Sequence, residues 1–506
     1  MDDASDLLTL PNELLKQISF YLCDDSTYNA RRPQQQLLNF SMCNRQLRAA
    51  CSPAIWHQFI MRRRTSNDSQ DYTIDDDRAG AKSWLVNNDR STGEVTVPEA
   101  LIKYGCFVRS FRVTFSLDEP SFDADWAMFC ELQKHCPGIT ALSAVVHVLD
   151  DASTDYFARF FGAVEQKLPN LFRRLNSAMV IRNAFDMDRT PHTELAEVLA
   201  RLPLLKHFSS LGVAISQKLL CRIFAGKSIE TAMFSESECD GDDPDAILSV
   251  VKDPLLLRDI AVGNNEFITS SLLQPLTQAL AKLSDTDKTY SCLSTLRITN
   301  CASVDDAVLG GYLTPKRFPY LRLLDMSGCE SIDCEKLLYY SRTHQWPNLY
   351  SLDLSRSVIS MKMLPAIGDM CPNLRTLGIA AEFGELEDDD NSLFEHRIGR
   401  YFVKMLEKLS RLQLLELAFT SQRMLDQLFG PNMPDVLKES LVSLRLSEEV
   451  ARYGGKSNLQ AIATGLAKMK ALRSVVIEIE NPKHKSKWEQ ALSGPEFSRA
   501  AVLILC

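Results

Sequence analysis

Three nine-residue stretches decide the fold that the sequence predicts: LSTLRITNC (residues 293–301), LRLLDMSGC (321–329) and LYSLDLSRS (349–357). Each has the pattern L-x-x-L-x-L, whose central residues alternate with the two-residue period of a β-strand. Further copies begin at residues 257, 374, 412, 441 and 472, so successive copies start 25 to 38 residues apart. This recurrence predicts a stack of similar units rather than one compact core.

Each copy is predicted to contribute one strand and one returning helix. The segment MKMLPAIGDM (361–370) has the apolar spacing of a helix, and the proline that follows it in CPNLRTL (371–377) ends that helix before the next strand. Weaker copies lie upstream, at VRSFRV (from 108), ITALSA (from 139), LKHFSSL (from 205) and IETAMF (from 229). The pattern therefore predicts an α/β array of repeats over residues 105–480.

The repeats resemble the cysteine-containing class of leucine-rich repeats. The resemblance rests on CPNLRTL and on Cys301 and Cys329, which stand at the N/C position of their copies, where Ser357 is a variant. It implies a leucine-rich-repeat solenoid with parallel strands on the concave face and helices outside. Because the N/C position faces the interior, we expect both cysteines to be structural.

The strand period also predicts which side chains face outward. If Leu324 and Met326 point inward, then Leu323, Asp325 and Ser327 point out, and the same offset applies to every clear copy. We expect a partner that carries basic groups to bind this strip on the concave face. The candidate substrate-binding residues are Asp259, Thr295, Arg297, Asp325, Ser351, Asp353, Glu416, Arg445 and Glu478.

The N-terminal stretch LPNELLKQISFYL (10–22) resembles the first half of an F-box, the helical module that binds the Skp-type adaptor of SCF ubiquitin ligases. The second half of that module is matched by LLNFSMCNRQLRAACSPAIWHQF (37–59), in the form common in fungal members. The apolar residues of the first stretch recur at helical spacing and form one face. The resemblance implies adaptor binding by Leu10, Pro11, Glu13, Leu14, Ile18, Leu22, Leu47 and Trp56.

Composition excludes several classes of function. Lys and Arg number 56 against 65 Asp and Glu, and this net charge of −9 argues against general nucleic-acid binding. No apolar run reaches the roughly 18 residues of a membrane span, and the acidic N-terminus is unlike a secretory signal. We therefore expect a cytoplasmic or nuclear protein without a membrane partner.

Catalysis by this chain is not predicted. The 14 cysteines include no C-x-x-C pair, and the chain has no H-E-x-x-H, P-loop, G-x-S-x-G or dinucleotide-binding motif. We accordingly expect no catalytic residue, no metal site and no cofactor. The predicted domains are a helical F-box (1–60), a polar linker (61–104), the solenoid (105–480) and a C-terminal cap (481–506).

These features favour one function over two others. The first is a substrate-recognition subunit of an SCF-type ligase, which would reach cullin and RING subunits through the adaptor and hold an unknown protein to be ubiquitinated. The second is a leucine-rich-repeat scaffold that acts without ubiquitination. The third, a GTPase activator of the repeat type, predicts regular repeats and an acidic C-terminal tail, whereas these repeats are irregular and the sequence ends FSRAAVLILC.

Overall fold

A computed structural model gives the structure of the chain. It describes part of the sequence, and its described residues are 58–63, 83–86, 97, 99–116, 122–147, 154–183, 192–235, 244–265, 268–282, 290–305, 307–308, 312–329, 331, 345–357, 363–380, 391–418, 428–430, 433–446, 456–478, 482–492 and 501–505. The chain divides into two compact units, Met1–Lys227 and Ser228–Cys506.

The described residues of the first unit form six parallel strands in the order β2-β1-β3-β4-β5-β6. The strands are β1 (Gln58–Arg63), β2 (Ser83–Val86), β3 (Ser110–Ser116), β4 (Ala141–His147), β5 (Ser177–Asn183) and β6 (His207–Leu211). Its helices are Glu99–Tyr104, Phe122–Gln133, Thr154–Lys167, Pro169–Phe172, Thr193–Ala200 and Gln217–Phe224, with a 3-10 turn at Gly105–Phe107.

In the second unit, the described residues form ten strands that pair in chain order, and each of these pairings is parallel. The strands are β7 (Thr231–Ser235), β8 (Asp259–Gly263), β9 (Thr295–Thr299), β10 (Leu323–Asp325), β11 (Ser351–Leu354), β12 (Thr376–Ala380), β13 (Leu414–Ala418), β14 (Ser443–Leu446), β15 (Ser474–Glu478) and β16 (Ala501–Leu505). Its helices are Gln274–Ala281, Met363–Met370, Asn391–Lys408, Asp435–Glu439, Lys456–Ala467 and Pro482–Ala491, with 3-10 turns at Pro244–Leu248, Pro254–Leu256 and Ser270–Leu273.

This arrangement is the predicted α/β leucine-rich-repeat fold. A strand lies at each strong copy of the pattern and at each of the four weaker ones. β1 and β2 also pair in the first unit and β16 pairs in the second. β1 begins in the predicted F-box and ends in the predicted linker, β2 lies in the linker, and β16 lies in the predicted cap. The predicted F-box residues before Gln58 lie outside the described residues, so that part of the fold stays a prediction. Among the described residues, no helix is both long and apolar enough to cross a bilayer.

A repeated hydrogen-bond arrangement fixes the register between neighbouring strands. The carbonyl of Tyr350, the residue before β11, accepts the N–H groups of Arg375 (2.7 Å) and Thr376 (2.9 Å) at the start of β12. Because one carbonyl satisfies two amides, each strand joined in this way begins at the same level as its neighbour. The same arrangement occurs at Arg109, Thr140, Asn176, Glu230, Arg258, Ser294, Arg322, Arg375, Gln413 and Val442.

The inward side of the second unit is aliphatic, as the L-x-L pattern predicts. Leu324 and Met326 of the β10 copy are at most 2% exposed. The equivalent pairs in the other copies are Ile260 and Val262, Leu296 and Ile298, Leu352 and Leu354, Leu377 and Ile379, Leu415 and Leu417, Leu444 and Leu446, and Val475 and Ile477, all of which are buried.

The N/C position closes each turn from inside. Cys301 and Cys329 are fully buried, and the Cys329 thiol lies 3.1 Å from the carbonyl oxygen of Ile298 in the preceding repeat. Ser357 takes the same place and donates to the carbonyl of Met326 at 2.8 Å. Burial raises the pKa of the Cys329 thiol to about 12, so this group stays protonated. The structural role predicted for both cysteines is confirmed.

Candidate binding face

Five of the nine candidate residues lie side by side on the outward face of the second unit. Their Cα atoms pair directly across β9 to β14, with Gly378 in the one remaining place. Neighbouring strands are about 4.8 Å apart, so side chains in this row can contact one another. We call these residues the charged row: Arg297, Asp325, Asp353, Gly378, Glu416 and Arg445.

Two aspartates occupy adjacent places in the charged row. The Asp325 carboxylate accepts the backbone N–H (3.1 Å) and the hydroxyl (2.8 Å) of Ser327, two residues further along the chain. The Asp353 carboxylate accepts the backbone N–H of Ser355 at 2.9 Å. These local bonds hold both carboxylates near the turn and leave them partly exposed to solvent.

Burial raises the pKa of Asp325, and the neighbouring Asp353 carboxylate raises it further. The bonds from Ser327 and the charge of Arg297 act in the opposite direction without cancelling the effect. Two like charges at directly paired strand positions repel each other. The centre of the charged row is therefore a site where a positive charge from outside is favourable.

Gly378 gives the Asp353 carboxylate the space it occupies. A side chain at residue 378 would collide with that carboxylate, because its Cβ would overlap both carboxylate oxygens. On the other side of Gly378, the Glu416 carboxylate lies 3.5 Å from the Arg445 guanidinium, and both side chains are partly exposed. The charged row thus has an acidic centre and an arginine at each end.

The other candidate residues lie on different levels of the same face. Asp259, Thr295 and Ser351 belong to a row two residues nearer the start of each strand, together with Leu323. Asp259 is held by the hydroxyls of Ser294 (3.3 Å) and of a neighbouring threonine on β7 (3.4 Å). The register therefore divides the predicted strip into levels of the same face, and its role in substrate binding stays a prediction.

Glu478 lies on a third level, at the end of β15, where its backbone pairs with Leu505. Its side chain is outside the described part of the structure. The eight predicted adaptor-binding residues, Leu10 to Trp56, also lie outside the described residues. Their assignment stays a prediction.

The chemistry available on this face is that of recognition. Carboxylates accept hydrogen bonds from cations, and arginines donate to anions, often in pairs. Among the described residues, no group of three or more His, Cys, Asp or Glu side chains is arranged to hold a metal ion. The arrangement can bind a partner of complementary charge.

Comparisons with known proteins assign no function to the chain. No protein-family model matches the chain, and no curated protein matches it. Among solved structures, the crystal structure of a TLR13–ssRNA13 complex has a TM-score of 0.30 and 13% sequence identity, over 80% of this chain and 52% of that chain. The chain thus spans about half the length of that protein, and a likeness of this size carries no information on what the chain binds.

Proposed function

We propose that this chain is the substrate-recognition subunit of an SCF-type ubiquitin ligase. In this proposal the N-terminal F-box-like segment binds the Skp-type adaptor, and the strand face of the second unit binds the protein to be ubiquitinated. The observation that supports partner binding is the charged row, since leucine-rich-repeat sheets present continuous surfaces that serve for protein interaction.

The acidic centre of the charged row sets the chemistry of the proposed partner. A lysine or arginine placed over Asp325 and Asp353 would relieve the repulsion between the two carboxylates as it forms its own bonds. Such a cation gains more binding free energy than it would at a single carboxylate, because its binding also removes the repulsion between the two carboxylates. The proposed partner therefore presents a basic side chain at the middle of the charged row.

The chain itself has no part in the ubiquitin chemistry in this proposal. The conjugating enzyme held by the cullin and RING subunits would supply the thioester, and this chain would supply proximity. Tethering raises the effective concentration of the partner's lysines near the thioester, to the millimolar range for short connections. The proposed site of action is the cytoplasm or the nucleus.

Charge reversal tests the proposed face. The double variant Asp325→Lys and Asp353→Lys should lose the partners that copurify with the wild-type chain, because it replaces attraction by repulsion. A matched control is Asp369→Lys with Asp435→Lys, two exposed aspartates on helices of the same unit, with the same change in net charge. Quantitative mass spectrometry of copurifying proteins measures the effect.

The expected result is selective loss in the first variant, with adaptor recovery and the circular dichroism spectrum unchanged. If that variant proves unfolded, Asp325→Asn with Asp353→Asn removes the charges with little change in shape. Retention of every partner by a folded variant would show that the charged row is not the binding face.

Adaptor capture separates the ligase from a scaffold that acts without ubiquitination. The double variant Leu10→Ala and Pro11→Ala should lose the adaptor and the cullin by at least about tenfold, because a few central anchors dominate the affinity of such interfaces. Partners of the strand face should remain bound. A wild-type chain that binds partners but recovers neither adaptor nor cullin would favour the scaffold.

A further inference from the structure

A second charged surface lies at the edge where the strands of the second unit begin. The described loops that lead into β10, β12 and β13 carry five exposed cations and, within their described residues 312–322, 371–375 and 409–413, no aspartate or glutamate. This concentration is unexpected in a chain with a net charge of −9. We call it the basic edge, and its cations are Lys316, Arg317, Arg322, Arg375 and Arg411.

Exposed tyrosines lie among these cations. Tyr350 is 37% exposed, and the guanidinium carbon of Arg375 lies 5.2 Å from the centre of its ring. Tyr320, at 52%, is more exposed still. Backbone bonds link Arg322, Tyr350 and Arg375 in consecutive places across the sheet. Large apolar surface beside charge that is left to solvent is typical of an interaction site.

The loops of the basic edge are held in fixed positions. The amide of Asn348 donates to the carbonyl of Pro319 in the preceding loop at 2.8 Å, and Asn373 donates to Pro347 at 2.9 Å. The loops before β11 and β12 are therefore each bonded to the preceding loop through a side chain as well as through the sheet. A surface that is ordered beforehand loses little conformational entropy when a partner binds.

Within the described part of the chain, Arg322 and Arg375 at the centre of the basic edge differ from an equivalent arginine that has a carboxylate partner. Arg258 occupies the equivalent place before β8, and its guanidinium is 3.7 Å from the Glu230 carboxylate. For Arg322 and Arg375, no carboxylate lies within ion-pair distance among the described residues. Their charge is therefore available to a ligand, whereas the charge of Arg258 is already balanced.

We propose that the basic edge binds an extended acidic peptide segment of a partner protein. Arg322 and Arg375 stand two strands apart, or about 10 Å. An extended peptide advances about 3.3 Å per residue, so carboxylates three residues apart match this spacing. Two separated guanidiniums fit two separate carboxylates better than one phosphate group, while Tyr350 between them contacts the peptide backbone and side chains.

The charged row makes a nucleic acid the poorer fit. Asp325 follows Arg322 by three residues, or about 10 Å along the strand, so a ligand that crosses the basic edge also meets the acidic centre. A polyphosphate chain would be repelled there, whereas a protein can present acidic and basic side chains at the two levels. This inference rests on the proposed partner-binding role of the second unit and does not require the ligase.

Fluorescence anisotropy with a defined probe tests the proposal on the full-length chain. The probe is a fluorescein-labelled 12-residue peptide of four Glu-Ser-Gly triplets, which places a carboxylate at every third residue. Arg322→Gln with Arg375→Gln should weaken binding about tenfold through the loss of two charge-assisted contacts. Arg258→Gln with Arg473→Gln, at equivalent places before β8 and β15, is the matched control and should change binding by less than about twofold.

Three results would overturn the proposal: no binding of the peptide by the wild-type chain, an equal loss in the control variant, or tighter binding of a labelled 12-nucleotide oligouridine that the same arginines control. Thermal unfolding of each variant verifies that it is folded. Adaptor recovery with the same variants reports separately on the ligase. Its absence from the wild-type chain would count against the proposed function and leave the peptide result standing.

Discussion

The two units carry the same strand pattern but present different outward faces. In the first unit, the row at the equivalent place in β3 to β6 is Arg112, Ser143, Met179 and Ser209, and both serines are at most 7% exposed. In the second unit, the same place in β10 and β11 holds Asp325 and Asp353, which are partly exposed. The fold alone therefore does not mark a binding face. Adjacent like charges with access to solvent do, and Asp325 and Asp353 provide them on the second unit.

The inward sides of the two units differ as well. Behind β3, the first unit packs Phe111 against Phe129 with ring centres 5.4 Å apart, whereas the second unit is filled by aliphatic pairs such as Leu324 and Met326. Aromatic rings fill space that a regular leucine ladder would otherwise fill. This difference explains why the upstream copies of the pattern are degenerate in the sequence although their strands pair in the same way.

The largest expected effect tests the aromatic core of the first unit. Phe160 is fully buried, with ring centres of Phe115, Trp126, Phe129 and Phe161 between 5.1 and 6.1 Å away. Phe160→Ala should lower the free energy of unfolding by about 3–5 kcal/mol, since it removes buried surface and leaves a cavity. Urea titration followed by circular dichroism measures the loss.

Phe160→Leu is the matched control for this site. It retains most of the apolar volume and should cost distinctly less than alanine. A loss below about 1 kcal/mol for the alanine variant would mean that the cluster does not stabilise the unit and that the comparison of the two cores fails.

A smaller effect is expected in the aliphatic core of the second unit. Leu324→Ala should cost about 2–5 kcal/mol, because this side chain is 2% exposed inside the repeat. Its neighbour Leu323 points outward and is partly exposed, so Leu323→Ala should cost much less. The two substitutions remove the same atoms, and equal losses in urea titration would show that the assigned strand register is wrong.

The local features of the second unit could be predicted because they depend on short-range patterns. The alternation of Leu324, Asp325 and Met326 assigns each residue to a face without knowledge of the neighbouring strand. The burial of Cys301 and Cys329 follows from their place in the same pattern. Such features require only the two-residue period of a strand and the choice of which face is apolar.

Features that depend on the neighbouring strand could not be predicted in this way. The level of Asp259 relative to Asp325 is set by the carbonyls that each accept two amides, and these bonds join residues about 30 positions apart. Gly378 occupies a variable position of the pattern, so the sequence indicates no role for it, whereas in the structure it accommodates the carboxylate of Asp353. β5 has no clear L-x-x-L-x-L motif, and pairing on both sides defines it.

The smallest effect concerns the acidic pair and sharpens the contrast between the outward faces of the two units. Asp325→Asn removes one of two like charges but retains an oxygen that can accept from Ser327, so at pH 7 it should raise the free energy of unfolding by about 0.2–1 kcal/mol.

The pKa of Asp325 is raised by burial and by Asp353, so the folded chain holds this proton to higher pH than the unfolded chain does. The contribution of the Asp325 carboxyl to the stability of the wild-type chain is therefore greatest at low pH, and it is lost as the pH rises through the folded pKa. The advantage of the variant should vanish as the pH falls below the folded pKa of Asp325, because the wild-type carboxyl is then protonated and neutral. Urea titrations of both proteins at several pH values measure the difference, and an advantage that grows on acidification would mean that the carboxylate stabilises the fold.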